Sequence, residues 1–145
     1  MAKQTEVLLI GGRSGVGKSA VGQEVAVLLR RADVAHAVIE GDLLDQVHPA
    51  PPDDPRRTEV TRTGLAAPGP VRVTAVLLTA GHAAAEERLR GRERGSELEL
   101  HLRRSAYAAR RLDAQAPEGT VRVATDGRGV REVAAEVAAL TGWLG

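Results

Sequence analysis

A chain of 145 residues with 43% hydrophobic residues is long enough for one hydrophobic core, and we expect a single domain over residues 1–145. Its 20 basic and 19 acidic residues nearly cancel, so its charge gives no reason to expect nucleic acid or a membrane as a partner. It has no cysteine, which excludes disulfides and thiolate chemistry, and its start shows no targeting signal. We therefore expect a cytoplasmic protein.

The predicted elements begin with a strand, a glycine loop and a helix. Residues 6–10 form a short apolar run, which is typical of a strand covered on both faces of a parallel sheet. From Lys18 onward apolar residues recur at helical spacing, and two arginines in the last turn suit the helix dipole. A second strand is predicted at residues 36–39, just before Asp42.

The interval 43–70 interrupts this pattern, because it holds six of the chain's seven prolines and only residues 58–67 are predicted as a short helix. The elements predicted after it are a strand at Val71–Thr79, a helix at 83–90, a helix from an N-cap at Ser96 to Gln115, a strand at 120–124 and a helix at 130–140. Strands that alternate with helices imply parallel pairing through right-handed crossovers. The predicted fold is therefore a three-layer α/β domain.

Residues 12–19 match the pattern G-x-x-x-x-G-K-S, between the first predicted strand and the first predicted helix. Glycines let the backbone wrap around phosphate groups, and the helix N-terminus adds a positive dipole end. The lysine of this pattern reaches the β- and γ-phosphates, and the serine hydroxyl ligates Mg²⁺. The predicted nucleotide-binding residues are Gly12, Arg13, Ser14, Gly15, Val16, Gly17, Lys18 and Ser19. We expect ATP with Mg²⁺; a glycine-rich turn with a chance lysine is the structural alternative.

An acidic residue is predicted to complete the site. Asp42 follows the second predicted strand, at the edge where open α/β sheets bind ligands, so its carboxylate is a candidate to accept a proton from a substrate hydroxyl. An ordinary turn aspartate after Gly41 is the alternative. Asp45 is a second candidate for the same role.

Four segments together resemble the small P-loop kinases, and most closely the adenylylsulfate kinase, gluconate kinase and chloramphenicol phosphotransferase groups. They are the glycine loop at 11–19, the strand end at 38–42, the strand Val71–Thr79 with its arginine-rich helix, and the segment 124–128. The resemblance covers residues 5–42 and 71–141. It implies a P-loop NTPase fold and transfer of the ATP γ-phosphate to an unidentified small hydroxyl-bearing acceptor.

The resemblance also implies catalytic roles. Asp42 would orient or deprotonate the acceptor and approach Mg²⁺, which Ser19 also binds. Lys18 would neutralise charge during transfer. Arg88 and Arg92 match the lid arginines that close over the transferring phosphate, and their spacing of four places them on one helical face. A solvated basic helix end is the alternative for these two arginines.

Asp126 and Arg128 lie in the segment that matches the one beside the adenine in such kinases. The resemblance therefore implies that they contribute to nucleotide binding. A helix N-cap at Asp126 is the alternative that we favour. Capping the helix is compatible with a role in nucleotide binding as well.

The sequence departs from these kinases in its middle. They have a five-stranded parallel sheet with a third strand between the first two, and residues 43–70 contain no apolar run for that strand. We expect a mostly parallel sheet of about four strands without the central third strand. Residues 36–39 then either pair directly with the first strand or leave a loose flank. Asp53 and Asp54 are alternatives for the acid that the central strand often supplies.

Two functions remain open from the sequence. The first is an ATP-dependent phosphotransferase, and the second is a nucleotide-binding module without efficient turnover. A GTP-dependent switch is disfavoured because the chain has no N-K-x-D motif for reading guanine.

Overall fold

The computed structural model describes residues 4–44, 46, 48–55, 69–92 and 98–145, and only the backbone of Asp42 and Arg92. These residues form three strands, β1 (Thr5–Gly11), β2 (Val71–Thr79) and β3 (Val121–Ala124). They also form five helices, α1 (Lys18–Arg31), α2 (Gly41–Leu44), α3 (His82–Arg92), α4 (Leu98–Gln115) and α5 (Val130–Thr141). The predicted helix at 58–67, the predicted N-cap at Ser96 and Asp45 lie outside the described residues.

The sheet has the order β1-β2-β3. β2 and β3 pair in parallel, with Val76 opposite Val121 and Thr79 opposite Ala124, so their carboxyl ends meet at one edge. The prediction of an α/β fold with a parallel sheet is confirmed. The part of the chain that the structure describes contributes three strands to this sheet, where about four were expected.

The strand predicted at residues 36–39 does not form, and that prediction is wrong. The alternative in which this segment pairs with β1 is wrong with it. Val38 is 50% exposed and Ile39 is 59% exposed. A short apolar run becomes a strand only where a neighbouring strand and a covering layer bury it, and these two side chains are not covered.

The chain divides into two compact units, of which the larger comprises Leu8–His36 and Val73–Gly145. Its core joins the apolar faces of α1 and α5 to the inner ends of β2 and β3. The main members are Val16, Val21, Val25, Leu29, Val76, Leu78, Val123, Val133, Ala134, Val137 and Ala138. Val133 and Val137 of α5 are buried in this core, whereas Val130 and Leu140, at the two ends of the helix, are 44% and 39% exposed.

The smaller unit comprises Met1–Val7 and Ala37–Arg72. Its described contacts tie the start of β1 to the start of β2. The Thr5 backbone N–H donates to Pro70 O at 3.1 Å, and Arg72 forms an ion pair with Glu6 at 3.7 Å. No helix in either unit, as far as the structure describes them, combines the length and apolarity needed to cross a bilayer.

Candidate functional site

The glycine loop that follows β1 adopts backbone conformations that its glycines make possible. Gly12, Gly15 and Gly17 have φ angles of 154°, 84° and 94°, a region that L-residues with side chains rarely enter. A Cβ at Gly12 would lie 2.9 Å from the Leu78 carbonyl oxygen, which leaves no room for a side chain. The loop therefore runs directly against the inner end of β2 before it enters α1.

Lys18, the first residue of α1, folds back over this loop. Its Nζ atom donates hydrogen bonds to Gly12 O at 2.7 Å and to Arg13 O at 3.1 Å. The ammonium charge is thus held at the same end of α1 as the positive end of the helix dipole. A flexible lysine that is anchored on the carbonyls of a glycine loop provides a local positive centre for an anion.

Arg13 is 6% exposed, and its side chain is engaged by other parts of the protein. Its Nε donates to Ser105 Oγ of α4 at 3.0 Å, and its Nη1 lies 3.3 Å from His82 Nδ1 at the start of α3. Its Nη2 is buried and has no hydrogen-bond partner among the residues that the structure describes. Arg13 therefore contributes its backbone to the loop, while its guanidinium links the loop to two helices.

Ser105 and His82 are residues that the sequence analysis missed. Ser105 Oγ also donates to the Ser14 carbonyl oxygen at 3.1 Å, and His82 Nε2 lies 2.9 Å from Glu86 Oε1. Leu102 and Ser105 are the buried residues of α4. A serine three positions after a buried leucine on the same helical face was the available signal, because a buried hydroxyl needs a hydrogen-bond partner.

The turn after β3 is tied to the turn after β2. The Thr125 backbone N–H and its hydroxyl both donate to Thr79 O, at 2.9 and 3.0 Å. Asp126 Oδ2 accepts the Gly81 backbone N–H at 2.7 Å. The N-cap of α5 is Gly129, without a side-chain hydrogen bond, so the predicted N-cap at Asp126 is wrong. Asp126 lies too far before the helix, and it stabilises the neighbouring turn instead.

Arg128 is held by two acids on α5 and by the chain before it. Its Nη2 lies 2.6 Å from Glu136 Oε2, its Nε lies 2.9 Å from Glu132 Oε1, and its Nη1 donates to Ala124 O at 2.8 Å. The hydrogen bond with Glu136, and then that with Glu132, raises the pKa of Arg128 above its usual value. The guanidinium is therefore a fixed cation whose orientation is set by these three acceptors.

A cavity of about 220 Å³ opens between the glycine loop and the turn after β3. Its lining combines valine side chains with two arginines and one hydroxyl. The lining residues are Val16, Gly17, Val21, Arg88, Thr125, Arg128, Val130 and Val133. Arg88 Nη1 lies 3.4 Å from Thr125 Oγ1, which places this lid candidate beside the cavity. The structure thus brings Arg88, Arg128 and the glycine loop together.

Comparison with known proteins supports the fold. A gluconokinase from Sinorhizobium meliloti 1021 superposes with a TM-score of 0.64 over 94% of this chain and 91% of that chain, at 20% sequence identity. The chain has the fold of a P-loop small-molecule kinase. No family model and no curated protein matches the sequence. The resemblance that was drawn from the glycine loop and the later strands is therefore confirmed for the fold.

The structure describes only the backbone of two further predicted site residues. Asp42 is the second residue of the short helix α2, and Arg92 is the last residue of α3; neither side chain is described. The argument that placed Asp42 at the carboxyl end of a strand loses its premise, because residues 36–39 form no strand. Among the described side chains, no group of three or more His, Asp or Glu residues is placed to hold a metal ion.

Proposed function

We propose that the chain binds ATP with Mg²⁺ and transfers the γ-phosphate to a small hydroxyl-bearing acceptor. The observation that carries this proposal is the hydrogen bond of 2.7 Å from Lys18 Nζ to Gly12 O, which holds the ammonium group against the glycine loop. That position places a cation where backbone N–H groups and the start of α1 also favour negative charge. The kinase fold supports the same conclusion.

The cavity beside the loop supports a nucleotide rather than a simple anion. Its volume of about 220 Å³ is below the range of roughly 300–1,000 Å³ that encloses drug-sized ligands, and so suits one part of a nucleotide such as the base. Valine side chains cover the faces of a planar ring, and the guanidinium plane of Arg128 can stack on it. The base and the phosphates would then occupy adjoining regions.

The chain's own residues fit a magnesium ion that arrives with ATP. Mg²⁺ prefers oxygen ligands and usually keeps several waters and the substrate's phosphate oxygens, so few protein ligands are needed. Ser19 supplies a hydroxyl oxygen in the first turn of α1, and Asp42 is the proposed carboxylate. When bound, the ion would neutralise the charge that develops on the phosphate oxygens during transfer.

The transfer itself would use the lysine, the lid arginines and the acid. The acceptor oxygen forms a bond to the γ-phosphorus, the bond from that phosphorus to the bridging oxygen breaks, and ADP leaves. The hydroxyl proton passes to the Asp42 carboxylate. Lys18, Arg88 and Arg92 neutralise the phosphate oxygens during this step.

Titration calorimetry of the purified chain with Mg²⁺ and either ATP or GTP tests the binding part of this proposal. We expect ATP to bind more tightly than GTP. An ADP-release assay on the same sample, against pools of sugars, nucleosides and other hydroxyl compounds, tests the transfer. Release that depends on one pool would establish a kinase and start to identify its acceptor. Absence of ATP binding would overturn the proposal.

The loss of the strand at 36–39 favours a second candidate, a nucleotide-binding module without efficient turnover. Asp42, the proposed acid, follows this segment, and no strand at 36–39 holds it at the edge of the sheet. This candidate predicts ATP binding of the same strength, with no ADP release from any acceptor pool. The same calorimetry and release assay therefore separate the two candidates.

A further inference from the structure

The Ser105 hydroxyl lies between two successive residues of the glycine loop. It is 3% exposed, 3.0 Å from Arg13 Nε and 3.1 Å from Ser14 O. Ser105 belongs to α4, ninety-one positions away from Ser14 along the chain. One buried hydroxyl thus connects the last long helix before β3 to the backbone of the phosphate loop.

The direction of both hydrogen bonds follows from the chemistry of the groups. A guanidinium has only donors, so Ser105 Oγ must accept from Arg13. A hydroxyl has a single proton, which is then left for the Ser14 carbonyl oxygen. Arg13 is itself oriented by His82 Nδ1 at 3.3 Å. The buried arginine therefore sets the direction in which Ser105 donates.

The Ser14 carbonyl in turn determines where the next N–H group points. In a planar trans peptide the C=O and the following N–H point in opposite directions, so the Gly15 N–H points away from Ser105. Gly15 has a φ angle of 84° and no Cβ, and a peptide next to such a residue can rotate at low cost. Without an anchor, this peptide could turn its carbonyl toward the bound phosphates.

We propose that Ser105 is a positioning residue that holds the Ser14–Gly15 peptide with its N–H directed to the phosphates of ATP. This inference rests on the proposed function, because it assigns a role toward the nucleotide that the loop binds. Ser105 does not touch the nucleotide; it acts through the loop backbone. A carbonyl turned toward the phosphates would replace an attraction by a repulsion between negative oxygens.

Three substitutions at this position, measured by calorimetry with ATP and Mg²⁺, test the inference. Ser105→Ala removes both hydrogen bonds, of which the one to Ser14 O orients the loop peptide. We therefore expect ATP affinity to fall about tenfold, the size of one lost buried hydrogen bond. Ser105→Cys keeps the volume but is a weak donor and acceptor, and should give a similar loss. Ser105→Thr keeps the hydroxyl and should restore affinity to within about threefold of the original chain.

Thr141→Val is the matched control. The Thr141 hydroxyl also makes two hydrogen bonds, donating to Ala138 O at 2.6 Å and accepting the Trp143 N–H at 3.1 Å, but at the end of α5. We expect this variant to lose thermal stability and to keep its ATP affinity. Equal losses of affinity in Ser105→Ala and Thr141→Val would show a general structural effect and overturn the inference.

The two proposals fail in different ways. If the original chain does not bind ATP, the proposed function is wrong and the positioning role falls with it. If the original chain binds ATP and folded Ser105→Ala and Ser105→Cys bind it equally well, only the positioning role is wrong. The melting temperature of each variant, recorded on the same sample, identifies those that are folded.

Discussion

The glycine loop and the segment at residues 36–44 were both assigned to the site, and they differ in what holds them. The loop is tied down by Lys18, by Ser105 and by close contact with β2. The segment contains the short helix α2 and no strand, and Val38, Ile39 and Leu43 are each at least half exposed. A motif that carries its own backbone geometry folds as its pattern predicts, whereas a strand end needs neighbours that the motif does not contain.

The largest expected effect tests the segment at residues 36–44. Asp42→Asn should lower acceptor-dependent ADP release by about 10²- to 10⁴-fold, the usual contribution of a general base, and leave ATP affinity within about threefold. The reason is that the amide keeps the shape of the side chain but cannot accept the hydroxyl proton. Release assays and calorimetry on the same sample measure both quantities.

Asp54→Asn is the matched control, because it makes the same change in the same compact unit of the chain. It should leave both release and binding unchanged. If Asp54→Asn abolishes release and Asp42→Asn does not, the acid has been misassigned and Asp54 takes the role. If neither variant changes release, the general base lies elsewhere.

The next effect concerns the loop. Lys18→Ala should weaken ATP binding by about 100-fold, since it leaves phosphate charge without its cation in a partly buried site. Arg31→Ala removes an exposed positive charge from the other end of the same helix and should leave the affinity unchanged. Calorimetry of both variants checks this contrast. Undiminished affinity in Lys18→Ala would refute the phosphate site itself.

How far the sequence predicts this molecule depends on how local each signal is. The strand Val71–Thr79 was predicted with its bounds, because a long β-branched run with a buried inner end is specified by its own residues. The loop was predicted for the same reason. The strand predicted at 36–39 does not form, since its burial depends on a neighbouring strand that residues 43–70 were not predicted to supply.

The contacts that shape the candidate site were less accessible to sequence reasoning. Ser105 and Arg13 are 92 positions apart, and nothing local to either residue identifies the other as its partner. Asp126 was predicted to cap α5, but its carboxylate accepts the Gly81 N–H across the chain. In both cases the residue type indicated a need for a partner, and only the fold determines which partner satisfies it.

A substitution in the loop separates close packing from backbone strain. Gly12→Ala should lower the free energy of unfolding by about 3 kcal/mol, because the new Cβ would meet Leu78 O in a backbone conformation that already disfavours a side chain. Gly127→Ala shares a positive φ of 67° but has open space around its Cβ position. It should cost only about 1–2 kcal/mol. Urea unfolding measures both, and equal costs would show that the contact with β2 is not tight.

The smallest expected effect is the most direct test of the comparison between the glycine loop and the segment at residues 36–44. The chain has two isoleucines, Ile10 in β1 and Ile39 in the segment that forms no strand. Ile10 packs against the core, so Ile10→Ala should cost about 2 kcal/mol or more. Ile39 is 59% exposed, so Ile39→Ala should change the free energy of unfolding by no more than about 0.5 kcal/mol. An equal loss in urea unfolding would mean that residues 36–39 are buried in solution. Residues 36–39 would then form a strand of the sheet, and the argument that Asp42 lies at the carboxyl end of a strand would hold again.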